Sequence, residues 1–328
     1  MSFPFFQARD RGGDTFYTAT ALLALMLLLP ALFPQKSGWL ASLIPLPVFY
    51  YQVSFGRRKG ALLLRNGILL AAGVALLFGS LPMLLFSLTL VPLGIAFSHG
   101  FFRRKPPVST GFIGFIVLLL CWVLYWSGLA MIMQENPYTS LLAEIDRGLA
   151  GGLMLYEEST ELNPETLESI QRVVAQLRTY IPQIFPALMV SGLLSIAWLN
   201  LTLGNLLLRK RQGRLTPWPE YRQWQLPQPL VWLAVLSGTF FILLPAPLSM
   251  IGLNGLIVSA TLYFFQGLAI AASFFHKWSV PRFFRVLIYG LIFIQTYGII
   301  ILSFLGLIDV WADFRKLEQP DPGQSNSA

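Results

Sequence analysis

The feature that most constrains this chain is a series of apolar blocks, each about as long as a membrane-spanning helix. The first block, TFYTATALLALMLLLPALF, covers Thr15–Phe33 and contains no charged residue. Stretches of about 20 apolar residues cross a bilayer as helices. Only 12% of the 328 residues are charged, whereas soluble domains carry about 25%. The sequence therefore predicts an all-α protein, a polytopic transmembrane helical bundle.

About nine spanning segments are predicted, and they divide the chain into four parts. An N-terminal membrane part (residues 1–133) holds about five helices, and a C-terminal membrane part (184–308) holds about four. Between them lies an extracytoplasmic helical loop (134–183), and an interfacial motif with a disordered tail (309–328) follows. The second segment is the weakest, because it is short and its two prolines remove backbone donors. The segments are Thr15–Phe33, Trp39–Phe55, Leu62–Phe78, Leu81–Phe97, Gly111–Met133, Ile184–Leu208, Leu230–Leu244, Met250–Phe275 and Val286–Leu307.

The basic residues predict how the bundle is oriented. Four short loops are rich in Lys and Arg, and they begin at Gly56, Phe101, Arg209 and His276. Cytoplasmic loops of membrane proteins collect these bases. With the N-terminus inside, seventeen of the 23 Lys and Arg lie on the cytoplasmic side and six lie outside. The expected location is the bacterial cytoplasmic (inner) membrane, with the N-terminus cytoplasmic and the C-terminus extracytoplasmic. Because the bases lie in these loops, the net charge of +8 predicts no nucleic-acid partner.

The predicted loop at 134–183 differs from the others, because it holds eight of the fifteen acids. A helix start is indicated by Asn163 as N-cap and Pro164 at the first helical position. An apolar stripe with helical spacing follows. This stripe can lie on the membrane surface, cap the bundle, pack against a partner or form a lid. Its members are Leu167, Ile170, Val174, Leu177 and Ile181.

Motifs for catalysis are absent from the sequence, which has no H-E-x-x-H, no G-x-S-x-G and no P-loop. Cys121 is the only cysteine, and His99 and His276 each lie at the end of a different apolar segment. We therefore expect no metal site, no cofactor and no enzymatic activity. No acid lies in the middle of a predicted span, which argues against a proton pump.

Uncharged polar residues inside the predicted spans are the candidate substrate-binding groups. They share helix faces in the sixth, eighth and ninth segments. Polar groups at membrane depth need partners. They find them either in tight helix contacts or on a bound polar ligand, and the sequence leaves both explanations open. The candidates are Ser195, Trp198, Thr202, Asn205, Ser259, Tyr263, Gln266 and Gln295.

Two stretches, LYFFQGLAIAASFF (Leu262–Phe275) and LGLIDVWADFRKL (Leu305–Leu317), resemble the YybS-like family of uncharacterised bacterial polytopic membrane proteins. That family is remotely similar to the substrate-binding subunits of energy-coupling-factor transporters, which resemble six-helix bundles with both ends inside. The resemblance implies a small-molecule-binding bundle, but it carries over no site residues. The motif residues are Gln266, Gly267, Gly306, Asp309, Asp313, Phe314 and Arg315.

The function expected from these observations is a transport-related integral membrane protein that binds a small molecule within its helix bundle. Its expected partner is the lipid bilayer, and other membrane proteins or a transporter energising module are further candidates. The alternative is a non-transporting scaffold or regulatory subunit of an envelope complex. The acids and Arg315 after Leu307 are expected at a membrane exit, where they can clamp the outer loop or a partner.

Overall fold

A computed structural model describes residues 14–158, 163–212 and 216–316, and the predicted disordered tail lies outside these ranges. The described residues form twelve α-helices and no strand, so the all-α prediction is confirmed. The helices are α1 (Asp14–Leu32), α2 (Pro34–Ser37), α3 (Pro45–Leu77), α4 (Leu81–Leu88), α5 (Val91–Phe102), α6 (Pro107–Met133), α7 (Pro137–Glu157), α8 (Pro164–Gln212), α9 (Val231–Leu243), α10 (Leu248–Lys277), α11 (Arg282–Ile294) and α12 (Thr296–Ala312).

Six helices of the described ranges are long and apolar enough to cross a membrane, and α11 with α12 would make a seventh span. In this count, Leu81–Phe102 is one span made of α4 and α5. The predicted number of nine is therefore not reached. The second predicted segment begins in a 3-10 turn (Gly38–Leu43) and continues into α3, which also contains most of the third. The seventh corresponds to α9, whose 13 residues extend only about 20 Å.

Helix α3 reverses its direction at Gly56, which has a φ of +79°. A Cβ atom added to Gly60 would lie 2.6 Å from the Cα atom of Gln52, although eight residues of straight helix span about 12 Å. The chain therefore folds back sharply, and α3 consists of a short first half and a longer second half. Pro45 and Pro47 lie at the start of the short half, where Pro45 interrupts no helical hydrogen bond.

The chain divides into two compact units, and the first comprises residues 1–123 and 193–224. Its core includes the indole of Trp218, which is 1% exposed. The Trp218 ring lies 5.6 Å from the ring of Phe49 and 5.3 Å from that of Phe101. Its Nε1–H donates a hydrogen bond to the Lys105 carbonyl at 2.8 Å. These contacts fix the segment that follows α8 against the first unit.

The second unit comprises residues 124–192 and 225–328, and it contains a helical hairpin made of α7 and the first part of α8. Three contacts show that the two helices run antiparallel. They are Gln171 Nε2 to Glu157 Oε1 at 3.0 Å, Arg178 to Asp146 at 2.8 Å, and Tyr138 Oη to the Pro182 carbonyl at 3.1 Å. In the predicted stripe, Val174 is buried whereas Leu177 is exposed. The predicted loop is thus a docked pair of helices.

Prolines interrupt the hydrogen bonding of α8 at positions 182 and 186. The side chain of Asn254 in α10 supplies hydrogen bonds to backbone groups at this break. Its Nδ2 donates to the Gln183 carbonyl at 2.8 Å, and its Oδ1 accepts from the Ala187 N–H at 3.0 Å. These two groups would bond to each other in an undisturbed helix. A proline ring pushes the preceding turn open, so the Asn254 amide bridges the gap. Sequence analysis did not single out Asn254.

Helices α10 and α12 run parallel to each other. Ser303 Oγ donates to the Ala260 carbonyl at 2.9 Å, and Gln266 Nε2 donates to Asp309 Oδ2 at 3.0 Å, both across 43 residues. In a parallel pair of helices, the residue numbers of contacting residues differ by a constant amount. In an antiparallel pair, their sum would be constant instead. The carboxyl ends of α10 and α12 therefore point in the same direction.

The parallel arrangement contradicts the predicted straight span over Val286–Leu307. The chain leaves the carboxyl end of α10, returns through α11, and turns by 102° into α12. Together α11 and α12 form a V-shaped pair that begins and ends towards the same end of α10.

Candidate functional site

The residues of the predicted motif meet in a buried polar cluster around the carboxylate of Asp309, which is 1% exposed. The Oδ2 atom accepts from Gln266 Nε2 at 3.0 Å and from Arg315 Nη2 at 2.8 Å. The Oδ1 atom accepts from the Phe314 N–H at 3.0 Å. The Arg315 side chain is also 1% exposed. A buried charge needs such donors and an opposite charge, and Asp309 has both.

Gln266 links this cluster to a third part of the second unit. Its Oε1 accepts from the Leu226 N–H at 3.1 Å while its Nε2 donates to Asp309. Gln266 is fully buried. The side-chain amide therefore ties the segment that leads into α9 to the end of α12.

Two glycines bring α10 and α12 close enough for these bonds to form. A Cβ atom on Gly306 would clash with the Tyr263 carbonyl, and one on Gly267 would clash with the Leu302 carbonyl. The two backbones thus touch, which places Gln266 directly against Asp309. Small residues permit this approach between helices in membranes.

The end of α12 turns back onto the cluster through a left-handed residue. Asp313 has a φ of +37° and follows the last residue of the helix. Asp and Asn adopt this conformation more readily than other non-glycine residues. The turn directs the Phe314 N–H and the Arg315 side chain to Asp309. Asp309 and Arg315, which were expected to clamp the outer loop or a partner, thus join the end of α12 to Gln266 of α10.

Four predicted binding residues belong to the first unit, where two of them, Trp198 and Asn205, contact the segment after α8. Asn205 Nδ2 donates to the Pro219 carbonyl at 2.9 Å, and the rings of Trp198 and Tyr221 lie 5.7 Å apart. Trp198, Thr202 and Asn205 line a cavity of about 20 Å³, which has room for about one water molecule. Ser195 lies one turn earlier on α8, outside this lining.

The other four predicted binding residues belong to the second unit. Ser259 Oγ donates to the Gly255 carbonyl of its own helix at 2.7 Å. Tyr263 is buried at the contact with Gly306, and Gln266 belongs to the polar cluster. Gln295 is exposed at the break between α11 and α12. Gln266 is thus the member of this group that bonds to Asp309.

A larger space lies in the first unit, between the second half of α3 and α5. We call it the α3–α5 groove. Its volume is about 560 Å³, which falls in the range of small-molecule sites. Sequence analysis did not identify it, although Arg65 within the apolar segment Leu62–Phe78 was an available signal. The lining residues are Gln52, Arg57, Ala61, Leu64, Arg65, Ile68, Leu69, Ile95, Ser98, His99 and Phe102.

Polar groups form one part of the groove and apolar groups form the other. Ser98 Oγ donates a hydrogen bond to Gln52 Oε1, and the Arg57 guanidinium lies 5.0 Å from the centre of the Phe102 ring. Ile68 and Ile95 contribute to the apolar part. The groove can therefore receive a molecule that has a polar end and an apolar end.

Comparison with known proteins finds matches along most of the chain. The model of a family described as predicted membrane protein (DUF2232) matches residues 21–310. The uncharacterized protein YybS of Bacillus subtilis (strain 168) is 24% identical over 311 residues, which make up 90% of this chain and 94% of that protein. No solved structure matches the chain.

Proposed function

The chain belongs to the family described as predicted membrane protein (DUF2232), which confirms the resemblance to YybS-like proteins, and we propose that it binds a small amphipathic molecule. The binding place in this proposal is the α3–α5 groove. The observation that supports it is the groove itself, with a volume of about 560 Å³ and both polar and apolar walls. The polar residues first considered for this role support it less, since Asn205 and Gln266 already bond to the chain's own carbonyl, N–H and carboxylate groups.

Filling the groove with a large side chain tests this proposal. Ala61 lines the groove, so Ala61→Trp should displace a bound molecule. Leu70 is exposed on the same helix and does not line the groove, so Leu70→Trp is the matched control. Native mass spectrometry of protein purified from membranes should show a bound species on the wild type and on Leu70→Trp. Ala61→Trp should lack it, and retention of the same species by this variant would contradict the proposal.

Transport is the wider role that we propose for this binding. Arg315 and Lys316 lie towards the same end of α10 as the basic 276–285 loop. If that loop is cytoplasmic, the C-terminal end is expected on the same side, as in the transporter subunits, which resemble bundles with both ends inside. An energising module is the expected partner. Purification in mild detergent should recover a transmembrane coupling subunit with ATPases. A preparation that keeps its bound small molecule and contains no such subunits would count against transport.

The second candidate function is a scaffold in an envelope complex, which the α7–α8 hairpin favours. Leu155 is 72% exposed, and Val173 is 53% exposed. Exposed apolar side chains that lie close together are typical of surfaces that contact another protein. If the hairpin docks a partner, Leu155→Ser with Val173→Ser should remove one stoichiometric envelope protein from the purified complex. An unchanged complex would rule out this role of the hairpin.

A further inference from the structure

We infer that the molecule bound in the α3–α5 groove is an anionic phospholipid, which narrows the proposed function and rests on it. The first step is the charge of the lining. The groove contains two cationic side chains, Arg57 and Arg65, and no acidic residue. A positive and acid-free wall favours a negative ligand, because an anion gains attraction without repulsion.

The charge of the surrounding unit points the same way. Within the described ranges 14–123, 193–212 and 216–224, the first unit has twelve Lys and Arg but only two acids, Asp14 and Glu220. Glu220 forms ion pairs with Arg209 at 3.2 Å and with Arg222 at 2.6 Å. Its carboxylate is therefore engaged away from the groove, so an external anion is the natural counter-charge for the groove bases.

The order of the lining residues along the two helices indicates that one end of the ligand is polar and the other is apolar. Arg57 begins the second half of α3, and Phe102 ends α5, and these two residues are in contact. About one turn before Phe102, His99 and Ser98 add polar groups. Farther from this end, Ile68, Leu69 and Ile95 form apolar walls.

A phospholipid fits this order with its phosphate near Arg57 and its acyl chain along the isoleucines. Leu69 is 63% exposed and Ile95 is 41% exposed, so the apolar part is open to the surroundings, as the acyl chain of a membrane lipid requires. Arg65 lies about 12 Å from Arg57 along the helix, and its long side chain can extend towards the headgroup. The aromatic contact with Phe102 holds Arg57 at the polar end.

Displacement of a fluorescent phosphatidylglycerol from the purified full-length protein in detergent tests the lipid class. Unlabelled dioleoyl phosphatidylglycerol should compete far better than dioleoyl phosphatidylcholine, which has the same chains and no net charge. Each base near an anionic lipid contributes about 5-fold in affinity, so Arg57→Gln with Arg65→Gln should weaken phosphatidylglycerol binding about 25-fold. Equal competition by the two lipids would overturn the anionic assignment while leaving the groove as a binding site.

The matched control removes two charges from the same turn without touching the groove. Arg58 and Lys59 follow Arg57 in sequence and are exposed, but they do not line the groove. Arg58→Gln with Lys59→Gln should keep the wild-type affinity. A loss equal to that of the Arg57 and Arg65 double variant would overturn the proposal, because the lipid would then sense only the general charge of this end.

A direct measurement on the wild type covers the case in which the double variant does not fold. Phosphatidylglycerol with a photoreactive group near its phosphate is cross-linked to the protein, and the labelled peptides are mapped by mass spectrometry. Adducts should concentrate in residues 52–69 and 95–102. Adducts confined to other parts of the chain would overturn the assignment, and so would equal labelling of these peptides by a phosphatidylcholine probe.

Discussion

The Asp309–Arg315 pair joins two charges that are both removed from solvent, each with a side chain that is 1% exposed. Asp309 also accepts bonds from Gln266 and from the Phe314 N–H. Such a pair adds little stability compared with an apolar replacement of both partners, but loss of one partner leaves an uncompensated buried charge. The protein is therefore stable only when both partners of the pair are present or both are replaced.

Replacement of one partner of this pair should destabilise the protein strongly. Arg315→Leu should lower the free energy of unfolding by about 3–5 kcal/mol. Asp309→Asn combined with Arg315→Leu should cost less than Arg315→Leu alone, because no charge then remains buried. Thermal unfolding in detergent provides the measurement. Glu168→Gln is the control, since its ion pair with Arg172 is exposed and exposed pairs contribute about 0–1 kcal/mol. Equal effects of Arg315→Leu and Glu168→Gln would contradict this description.

Asn254 has a role that depends on a residue of another helix, Pro186. Asn254→Leu should destabilise by about 1–3 kcal/mol, because the Gln183 carbonyl and the Ala187 N–H lose their partner. In a Pro186→Ala background the two groups can bond to each other, so the same substitution should cost clearly less. A double-mutant cycle measured by thermal unfolding detects this coupling. Additive costs would show that Asn254 does not repair the proline break.

Among the elements, the contact between α10 and α12 depends on two glycines. Gly306→Ala would place a methyl group against the Tyr263 carbonyl, a backbone atom that cannot move away easily. We expect a loss of about 1–3 kcal/mol and weaker Gln266–Asp309 bonding. Gly151→Ala in α7 is the control, because nothing lies within 4 Å of its added Cβ and alanine favours helix. Unfolding midpoints should fall for the first variant and stay or rise for the second.

The sequence predicted most of the helical elements and the break near Gly56, but not the reversal between α11 and α12. The apolar content of Leu81–Phe97 and Met250–Phe275 was sufficient, because length and hydropathy decide whether a helix can span. The basic run after Gly56 marked the fold-back there, whereas the V of α11 and α12 depends on tertiary contacts that leave no periodic signal. The motif included Gln266, Asp309 and Arg315, but it did not predict that they bond to one another.

The candidate binding site was also predicted only in part. Polar residues such as Asn205 were predicted to bind a ligand because polar groups in spans need partners. In the structure, Asn205 bonds to a carbonyl of the chain itself. The groove forms only when the second half of α3 returns along α5, so its lining residues are far apart in sequence. Arg65 inside an apolar segment was the one sequence signal, and it was attributed to the neighbouring basic loop.

At the scale of the whole molecule, the parallel α10 and α12 bear on the predicted extracytoplasmic position of the C-terminus. If the 276–285 loop is cytoplasmic, Arg315 and Lys316 lie towards the same side. Four bases then remain on the opposite side, namely Lys36, Arg147, Arg172 and Arg178, which strengthens the asymmetry that orients membrane proteins.

Single cysteines in a Cys121→Ser background test this orientation. Lys316→Cys and Arg58→Cys should react with a membrane-impermeant maleimide from the same side in oriented vesicles. Thr166→Cys in the α7–α8 hairpin should react from the other side. Reaction of Lys316→Cys together with Thr166→Cys would contradict the V-shaped arrangement of α11 and α12.

The most direct test of the central claim is a high-resolution map of the protein in nanodiscs made from its native lipids. The α3–α5 groove should contain non-protein density, with a compact head beside Arg57 and His99 and a tail along Ile68 and Ile95. A groove that is closed by its own side chains, or that remains empty while lipids are resolved elsewhere on the surface, would contradict the claim.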